Sequence, residues 1–326
     1  MSYSRETLSK AAKTLESRRN KAQRTQLARH LEVTEKIPVI AQYEAQLSET
    51  GLSVVKAIGM GSDADEYIKQ LSQLNLAMQD KIKALLKENG YPENYLEVPY
   101  TCKICGDTGY NGGYICECRK ELLKELAKKE LSEISTSDKC RFDNFNLDFY
   151  PQPVDTVLGV SPQKRMGDIL EYCKCYAEDF DVNSESLYMH GATGLGKTHL
   201  SLAIANVVAE NGYRVIYDTA QNLLTSLEKE KFSYSDSNER EKEILECDLL
   251  IIDDLGSEFS TQFTVAAIYN IVNTRINRSK PVIISTNLSE TELEAKYTQR
   301  ITSRIIGNYV SLLFLGKDIR QLKKFK

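Results

Sequence analysis

The sequence predicts an α/β fold with a largely parallel sheet, preceded by a helical region and a small cysteine-rich module. From about Pro151 onward, short apolar runs typical of β-strands alternate with helical stretches, the pattern of a parallel sheet. The strand candidates are residues 186–190, 214–217, 249–252, 281–285 and 310–315. We therefore expect three parts: a helical N-terminal, partner-binding region over 1–90, a four-cysteine zinc module with a linker helix over 91–135, and the α/β domain over 136–326.

The first part is predicted to be helical because Ala, Leu, Lys, Glu and Gln dominate residues 4–36 and 63–89. In the second of these segments, apolar residues recur at roughly helical spacing. They are Ile68, Leu71, Leu74, Leu76 and Met78. Residues 37–60 contain Pro38, Gly51 and Gly59, so we expect a break or hinge there. Residues 89–92 should end the second helix, and 119–134 should form another.

Composition indicates a soluble globular protein, since 41% of the 326 residues are hydrophobic and 27% are charged. We find neither a run of about 20 apolar residues nor an apolar signal core at the start, so we expect a cytoplasmic protein without membrane contact. Residues 1–30 hold eight Lys or Arg against two Glu, a local charge of +6 in a chain of net charge −4. Such a segment can contact phosphates or an acidic surface, or simply be a solvated helix face.

A phosphate-binding loop is predicted between the first strand candidate and a helix. The segment fits the pattern G-x-x-x-x-G-K-[ST]. Its residues are Gly191, Ala192, Thr193, Gly194, Leu195, Gly196, Lys197 and Thr198, followed by His199. Glycines let backbone amides approach the phosphates, and the helix begins with its positive dipole end toward them. Lys197 would pair with the β- and γ-phosphates and Thr198 would hold Mg²⁺, which predicts ATP and Mg²⁺ as cofactors.

Two further strand ends carry polar residues suited to the same chemistry. Asp253 and Asp254 end the aliphatic run that begins at residue 248, so Asp253 is the candidate Mg²⁺ ligand and Asp254 the group that polarises the attacking water. The Asp254 side chain is shorter than the Glu found in many related ATPases. Asn287 follows the strand candidate at 281–285 and could orient that water. A buried strand ending in a polar turn is the simpler alternative for either segment.

Three arginines near the C-terminus are candidates for contacts with phosphate. Arg300 and Arg304 are four residues apart and so share one helical face. A salt bridge or solvent exposure is the alternative role for this pair. Arg320 lies close to a generally basic tail, which is the alternative explanation for its charge.

Four cysteines have the spacing of a metal site, C-x2-C followed by C-x-C. They are Cys102, Cys105, Cys116 and Cys118. This set suits a structural zinc, with no open coordination position for catalysis. An iron–sulfur cluster or four free thiols are the alternatives, because C-x-C is less common than C-x-x-C. The remaining cysteines and the three histidines lack metal spacing and are expected to be structural: Cys140, Cys173, Cys175, Cys247, His30, His190 and His199.

Together, four segments resemble the DnaC/DnaI-type helicase loaders, AAA+ proteins related to the initiator DnaA and the transposition helper IstB. They are GATGLGKTHL at 191–200, IIDDLGSE at 251–258, IISTN at 283–287 and RITSR at 300–304. The resemblance covers roughly residues 140–326. It implies an AAA+ domain with a reduced lid, in which Asp at position 254 is usual.

By this resemblance several residues acquire roles. Asn287 matches sensor 1, and Arg320 is a candidate sensor 2. Arg304 matches the arginine finger that is donated to a neighbouring subunit's ATP site, with Arg300 as its companion. The cysteine module matches the zinc-bearing N-terminal part that contacts the helicase in DnaI-like loaders.

The resemblance implies an ATPase that binds a replicative helicase, places it on single-stranded DNA and self-associates on binding ATP or its partner. One alternative is an IstB-like transposition helper, whose front end is usually shorter and lacks a four-cysteine cluster. Another is a nucleotide-gated interaction module with little turnover. A small-molecule kinase is disfavoured, because paired Asp residues and a distal arginine pair suit hydrolysis at a subunit interface.

Overall fold

The computed structural model of the chain describes residues 3, 5–57, 64–134, 139–154, 159–232 and 239–322. Two compact units are present. Ala12–Arg119 form one, and Lys120–Lys326 together with Met1–Ala11 form the other. Each is described by itself.

Helices dominate the first unit: α1 is Arg5–Lys36, α2 is Pro38–Ala57 and α3 is Ala64–Glu88. The helices predicted at 4–36 and 63–89 are confirmed. A break does occur within the expected stretch 37–60, at Ile37 between α1 and α2, but residues 38–57 are helical, and residues 58–60 lie outside the described part. Pro38 stands at the first helical position, where a missing N–H costs no helical hydrogen bond. In the described part of the chain, no helix has the length and hydropathy of a membrane span.

A small core joins these helices. Val33, Ile37, Ile40 and Leu86 are buried together. The third helix stops as predicted, because Gly90 adopts a φ of 79°, a left-handed conformation typical of helix ends. A short antiparallel hairpin follows, with β1 at Tyr110–Asn111 and β2 at Tyr114–Ile115.

The second unit contains the predicted α/β domain, and the charged helix expected at 119–134 is α4, Glu117–Ile134. The elements that follow are α5 (Pro162–Glu178), β3 (Ser186–His190), α6 (Lys197–Glu210), β4 (Val215–Thr219), α7 (Ala220–Phe232), α8 (Glu239–Glu246), β5 (Leu249–Leu255), α9 (Gln262–Asn277), β6 (Val282–Thr286), α10 (Glu290–Tyr297), α11 (Gln299–Asn308), β7 (Tyr309–Leu313) and α12 (Ile319–Leu322). All five strands of the sheet are parallel, in the order β4-β5-β6-β3-β7, which confirms the predicted fold class.

Helices cover both faces of this sheet. Side chains of successive strand residues point to opposite faces, so Leu249 and Ile251 join the core on one side and Leu250 and Ile252 the core on the other. Helices α5 and α6 pack in the first core, and α7 to α11 pack in the second. Near-continuous apolar strands are what burial on both faces requires.

The strand order decides where the polar strand ends meet. Strands β5, β6 and β3 are neighbours, and parallel strands place their carboxyl ends at one edge of the sheet. Asp253 and Asp254 lie near the carboxyl end of β5, just before its last residue, Leu255. Asn287 follows β6, and the glycine-rich loop follows β3. The three candidate motifs therefore share one edge, the usual ligand site of open parallel sheets.

Candidate nucleotide site and cysteine cluster

The glycine-rich loop between β3 and α6 needs glycine at its tight positions. Gly191, Gly194 and Gly196 have φ values of 134°, 76° and 90°, a region that other residues rarely adopt. At Gly194 a Cβ would lie 1.9 Å from Oδ1 of Asp318, so a larger residue there would displace the segment before α12. The loop is therefore held in a fixed shape that leads into the helix.

Lys197 lies at the centre of this loop. Its ammonium group donates hydrogen bonds to the carbonyl oxygens of Gly191 at 2.6 Å and Ala192 at 2.7 Å, and to Oδ1 of Asn287 at 2.7 Å. Only 7% of the residue is exposed. Burial lowers the pKa of Lys197 to about 8, although the charges of Asp253 and Asp254 oppose the shift. The lysine thus holds its ammonium group between the loop carbonyls and the Asn287 side chain.

Asp253 and Thr198 form the part of the site suited to a divalent cation. The Thr198 hydroxyl donates to the two carboxylate oxygens of Asp253 at 2.9 and 3.2 Å. Tyr217 and Ser285 also donate to this carboxylate, at 2.8 and 2.5 Å. A carboxylate beside a threonine hydroxyl at a phosphate loop is a donor set of the kind that holds Mg²⁺ in P-loop proteins, so these residues fit the ion.

Asp254 sits one residue further along and has a positive φ of 55°. Its backbone N–H donates to Ser285 Oγ at 2.9 Å, and its Oδ1 accepts a 2.6 Å hydrogen bond from the Asn287 amide. Because Asn287 also accepts from Lys197, the amide connects the lysine to the acidic residue. The three strand ends thus form one hydrogen-bonded network.

These residues line a cavity of about 450 Å³, which we call the nucleotide cavity. One wall is formed by residues of the segment 140–150, which carries no motif for nucleotide binding and includes Cys140, expected to be structural. Phe145 stacks on Tyr150, and the Tyr150 hydroxyl donates to the Leu195 carbonyl at 2.8 Å. No local sequence motif indicates that Phe145 and Tyr150 line the cavity. Their role follows only from the close approach of this segment to the glycine-rich loop.

Two other predicted residues also line the nucleotide cavity. His199 contacts the Arg141 carbonyl at 2.8 Å and meets the Phe145 ring edge-on. Arg320 follows Asp318, whose Oδ1 accepts from the Arg320 backbone N–H at 2.9 Å. Its charge is one of those that lower the pKa of Lys197, with burial the larger cause.

Arg300 and Arg304 do not line the nucleotide cavity of their own chain. Both lie on α11, as predicted, and Arg300 is exposed. The Arg304 Nε donates to Asn273 Oδ1 at 2.9 Å, and its guanidinium lies 5.2 Å from the centre of the Tyr269 ring. Contacts with α9 therefore hold Arg304 in a defined position.

The four predicted metal-ligand cysteines come together in the first unit. The sulfur atoms of Cys102, Cys105, Cys116 and Cys118 all lie within 4.8 Å of one another. The Cys102–Cys116 and Cys105–Cys118 sulfur distances are 3.8 and 3.4 Å. A tetrahedral zinc with bonds of about 2.3 Å separates its sulfurs by ~3.8 Å, so the four thiols fit this ion.

Asp107 organises the cysteine loop and was not singled out from sequence. Its carboxylate accepts hydrogen bonds from the backbone N–H groups of Thr101 at 2.9 Å and Cys102 at 2.8 Å. Burial alone would raise the pKa of the Cys105 thiol. The Gly109 N–H and the neighbouring thiols stabilise its thiolate and lower the pKa to about 6, whereas burial and the thiols around it raise the pKa of Cys118. Thiolate is the form that metals bind.

The remaining cysteines and histidines take no part in such a cluster within the described ranges. Cys173 and Cys247 are buried in the α/β domain. His30 pairs with Glu44 at 2.6 Å, and His190 contacts Ser311 at 2.9 Å.

Comparison with known proteins agrees with the nucleotide site. Residues 173–307 match the family described as IstB-like ATP binding protein. A relative named replicative helicase loader DnaC, from Buchnera aphidicola subsp. Acyrthosiphon pisum, is 28% identical over 190 residues, covering 57% of this chain and 71% of the relative. The protein of that name from Escherichia coli K12 is 28% identical over 148 residues, covering 44% and 60%.

A solved structure described as the DnaC helicase loader is also similar. It aligns at 26% identity with a TM-score of 0.44, covering 53% of this chain and 98% of that one. The chain thus aligns with 60% of the length of the Escherichia coli relative, which is less than two thirds, and with 71% of the length of the Buchnera relative.

Proposed function

We propose that this chain, whose residues 173–307 match the family described as IstB-like ATP binding protein, binds a replicative ring helicase and places it on single-stranded DNA. ATP binding would assemble the complex, and ATP hydrolysis would release the helicase. The observation that carries this proposal is the network joining Lys197, Asn287 and Asp254 at the shared edge of the sheet. The relatives named helicase loaders suggest the partner.

Within the nucleotide cavity the residues would divide the work of hydrolysis. Backbone amides of residues 191–198 and the Lys197 ammonium would hold the phosphates, because both present positive charge to an anion. Thr198 and Asp253 would hold Mg²⁺, which when bound neutralises charge on the β- and γ-phosphates. Asp254 would polarise the attacking water, and Asn287 would orient it.

Arg304 and Arg300 would complete the ATP site of a neighbouring subunit. Arg304 lies outside its own nucleotide cavity but is held in place by Asn273 and Tyr269, which suits a group presented to another molecule. A guanidinium can stabilise the charge that develops on the transferred phosphoryl group. Arg300 would assist from the same face of α11, whereas Arg320 would contact phosphate within its own chain.

The N-terminal parts would bind the helicase. The helical region over 1–90 and the four-cysteine module over 91–135 are the proposed partner-binding parts, ahead of the AAA+ domain over 136–326. The four sulfurs fit a structural zinc, which a segment with little apolar core would need in order to fold.

A transposition helper is the second candidate function, because the matching family is described as IstB-like. Its partner would be a transposase on duplex DNA. The helical region and the cysteine cluster ahead of the ATP-binding domain favour the helicase loader, since they supply surfaces for an additional protein. Measuring ATP hydrolysis distinguishes the helicase loader and the transposition helper, which hydrolyse ATP, from a nucleotide-gated interaction module with little turnover.

The test is binding of the tagged full chain to the replicative helicase of its own host, with and without Mg²⁺ and ATP, beside the same assay with a transposase. We expect helicase capture and ATP turnover, loss of ATP binding in Lys197→Ala, and ATP binding without turnover in Asp254→Asn. An exposed lysine outside the cavity, Lys164, gives the matched control Lys164→Ala. Capture of the transposase instead would contradict the loader hypothesis, and wild-type turnover in Asp254→Asn would contradict the hydrolytic role.

A further inference from the structure

Glu258 is a buried carboxylate in the loop that follows β5, four residues after Asp254. Only 4% of it is exposed. Its Oε2 accepts a 2.9 Å hydrogen bond from the Gly256 N–H, and its Oε1 accepts a hydrogen bond from the Tyr297 hydroxyl. The carboxylate thus joins its own loop to the end of α10.

Lys296 reinforces the same junction. Its ammonium donates to the carbonyl oxygens of Gly256 and Glu258, each at 2.6 Å, and lies 3.1 Å from Oε1 of Glu258. Every charge in this buried group has an opposite charge or a hydrogen-bond partner. Loss of one partner would leave a buried polar group unpaired, which makes the junction stiff.

The other end of the loop is fixed to the nucleotide cavity. At Gly256, where φ is 109°, a Cβ would lie 2.5 Å from Cδ1 of Leu288, so the loop packs directly on the residue after Asn287. The Thr286 hydroxyl donates to the Leu255 carbonyl at 2.5 Å. A shift of Asp254 or Asn287 is therefore transmitted to the loop.

Beyond the junction lies the helix that bears Arg304. Helix α10 ends at Tyr297, and α11 begins at Gln299, so one residue separates the Glu258 contact from the arginine helix. Tyr297, Ile301 and Ile305 are buried in the same core, which ties the two helices to each other. Because a close-packed core transmits strain, a displacement of Tyr297 at the end of α10 would also displace α11.

We propose that Glu258, through Lys296 and Tyr297, is a positioning residue that makes α11 and its Arg304 respond to nucleotide bound in the same subunit. The inference rests on the proposed function in one respect, that nucleotide binds at Lys197, Asp254 and Asn287. The new element is that nucleotide in the cavity of one subunit would change the position of the same subunit's Arg304, which acts at the ATP site of the neighbouring subunit.

Hydrogen exchange of the full-length chain tests this, with and without Mg²⁺ and a non-hydrolysable ATP analogue. In the wild type, we expect nucleotide to change the exchange of amides in both the phosphate loop and α11, by about fivefold or more. In Tyr297→Phe the phosphate loop should respond as before, while the response of α11 falls to a small fraction. The ring is kept in this variant, so the core stays filled.

Tyr188→Phe is the matched control. Tyr188 is buried in the same core, and its hydroxyl has no hydrogen-bond partner among the described residues. This variant should respond like the wild type. Lys296→Met, which removes the contacts to the Gly256 and Glu258 carbonyls, should resemble Tyr297→Phe. Exchange is recorded at a protein concentration low enough for sedimentation to show a monomer with and without the analogue, because contact with a neighbouring subunit would also slow exchange.

Two results would overturn the inference. The first is that nucleotide does not change the exchange of α11 amides in the wild type. The second is that nucleotide changes the exchange of α11 amides in Tyr297→Phe as much as in the wild type. Either result would show that the junction does not couple the nucleotide cavity to α11. If the phosphate loop responds and α11 does not, only this inference fails. If neither segment of the wild type responds, nucleotide binding in the cavity fails as well, and the proposed function fails with it.

Discussion

The side-chain amide of Asn287 donates a 2.6 Å hydrogen bond to Oδ1 of Asp254, while its carbonyl oxygen accepts a 2.7 Å hydrogen bond from Lys197. The Asn287 amide therefore bridges Lys197 and Asp254, with its oxygen bonded to the lysine and its nitrogen bonded to the carboxylate. Any group placed between them must exchange these contacts, so Asn287 is in position to respond to phosphate and to water together.

Replacing Asn287 by Ala should lower ATP turnover while ATP binding changes little. Lys197 keeps two carbonyl acceptors in the loop, but Asp254 loses the donor that orients it. We expect a fall in kcat of roughly 10²-fold, in the range of one lost general-base or orienting contact. Steady-state kinetics and a binding titration check this, with Asn183→Ala, an exposed position outside the cavity, as the control. Unchanged turnover would remove Asn287 from the proposed mechanism.

ATP affinity should decline as pH rises above about 8. Burial lowers the pKa of Lys197 to about 8, and the charged ammonium is the form that pairs with phosphate. Above that pH the free protein loses the proton that the complex retains, so affinity should fall by up to about tenfold per pH unit and binding should take up a proton. Calorimetry in buffers of different ionisation enthalpy measures this uptake. Lys197→Met should bind weakly at every pH, without the proton uptake.

Much of the fold follows from local sequence, because the strands are apolar runs and the phosphate loop is a contiguous motif. The network at Lys197 also follows, since parallel strands bring their carboxyl ends to one edge. The contacts of Tyr150 with the loop and of Glu258 with Tyr297 do not follow, because each joins residues distant in sequence. Helix α2 does not follow from local sequence either, because proline and glycine usually interrupt helices, whereas Pro38 occupies a helix start, where proline is tolerated.

The cysteine cluster should hold one zinc per chain, and Asp107 should strengthen its binding. Asp107 fixes the backbone at Cys102, so Asp107→Asn should weaken zinc affinity by roughly 10–100-fold, as loss of an outer-shell contact does. Elemental analysis and competition with a chromogenic chelator measure both quantities. The exposed Asp80 in the same unit supplies the control Asp80→Asn. Purified protein without zinc and with four freely titrating thiols at these positions would exclude the site.

Arg304 should act on the ATP site of a neighbouring subunit. Arg304→Ala should bind nucleotide but lose stimulated hydrolysis by ~10³-fold or more. Lys197→Ala has the opposite defect, so mixing the two inactive proteins should restore part of the activity. Sedimentation must show that both assemble, and the exposed Arg278 gives the control Arg278→Ala. Assembled mixtures as inactive as either parent would assign Arg304 a role within its own chain.

The proposed function is that this chain places a ring helicase on single-stranded DNA under the control of ATP. The most direct measurement is transfer of the host's replicative helicase onto closed circular single-stranded DNA, which has no end to thread. We expect transfer with the wild-type chain and ATP, and little with Lys197→Ala or without the chain. Equal amounts of helicase on the circle with and without the chain would contradict the claim.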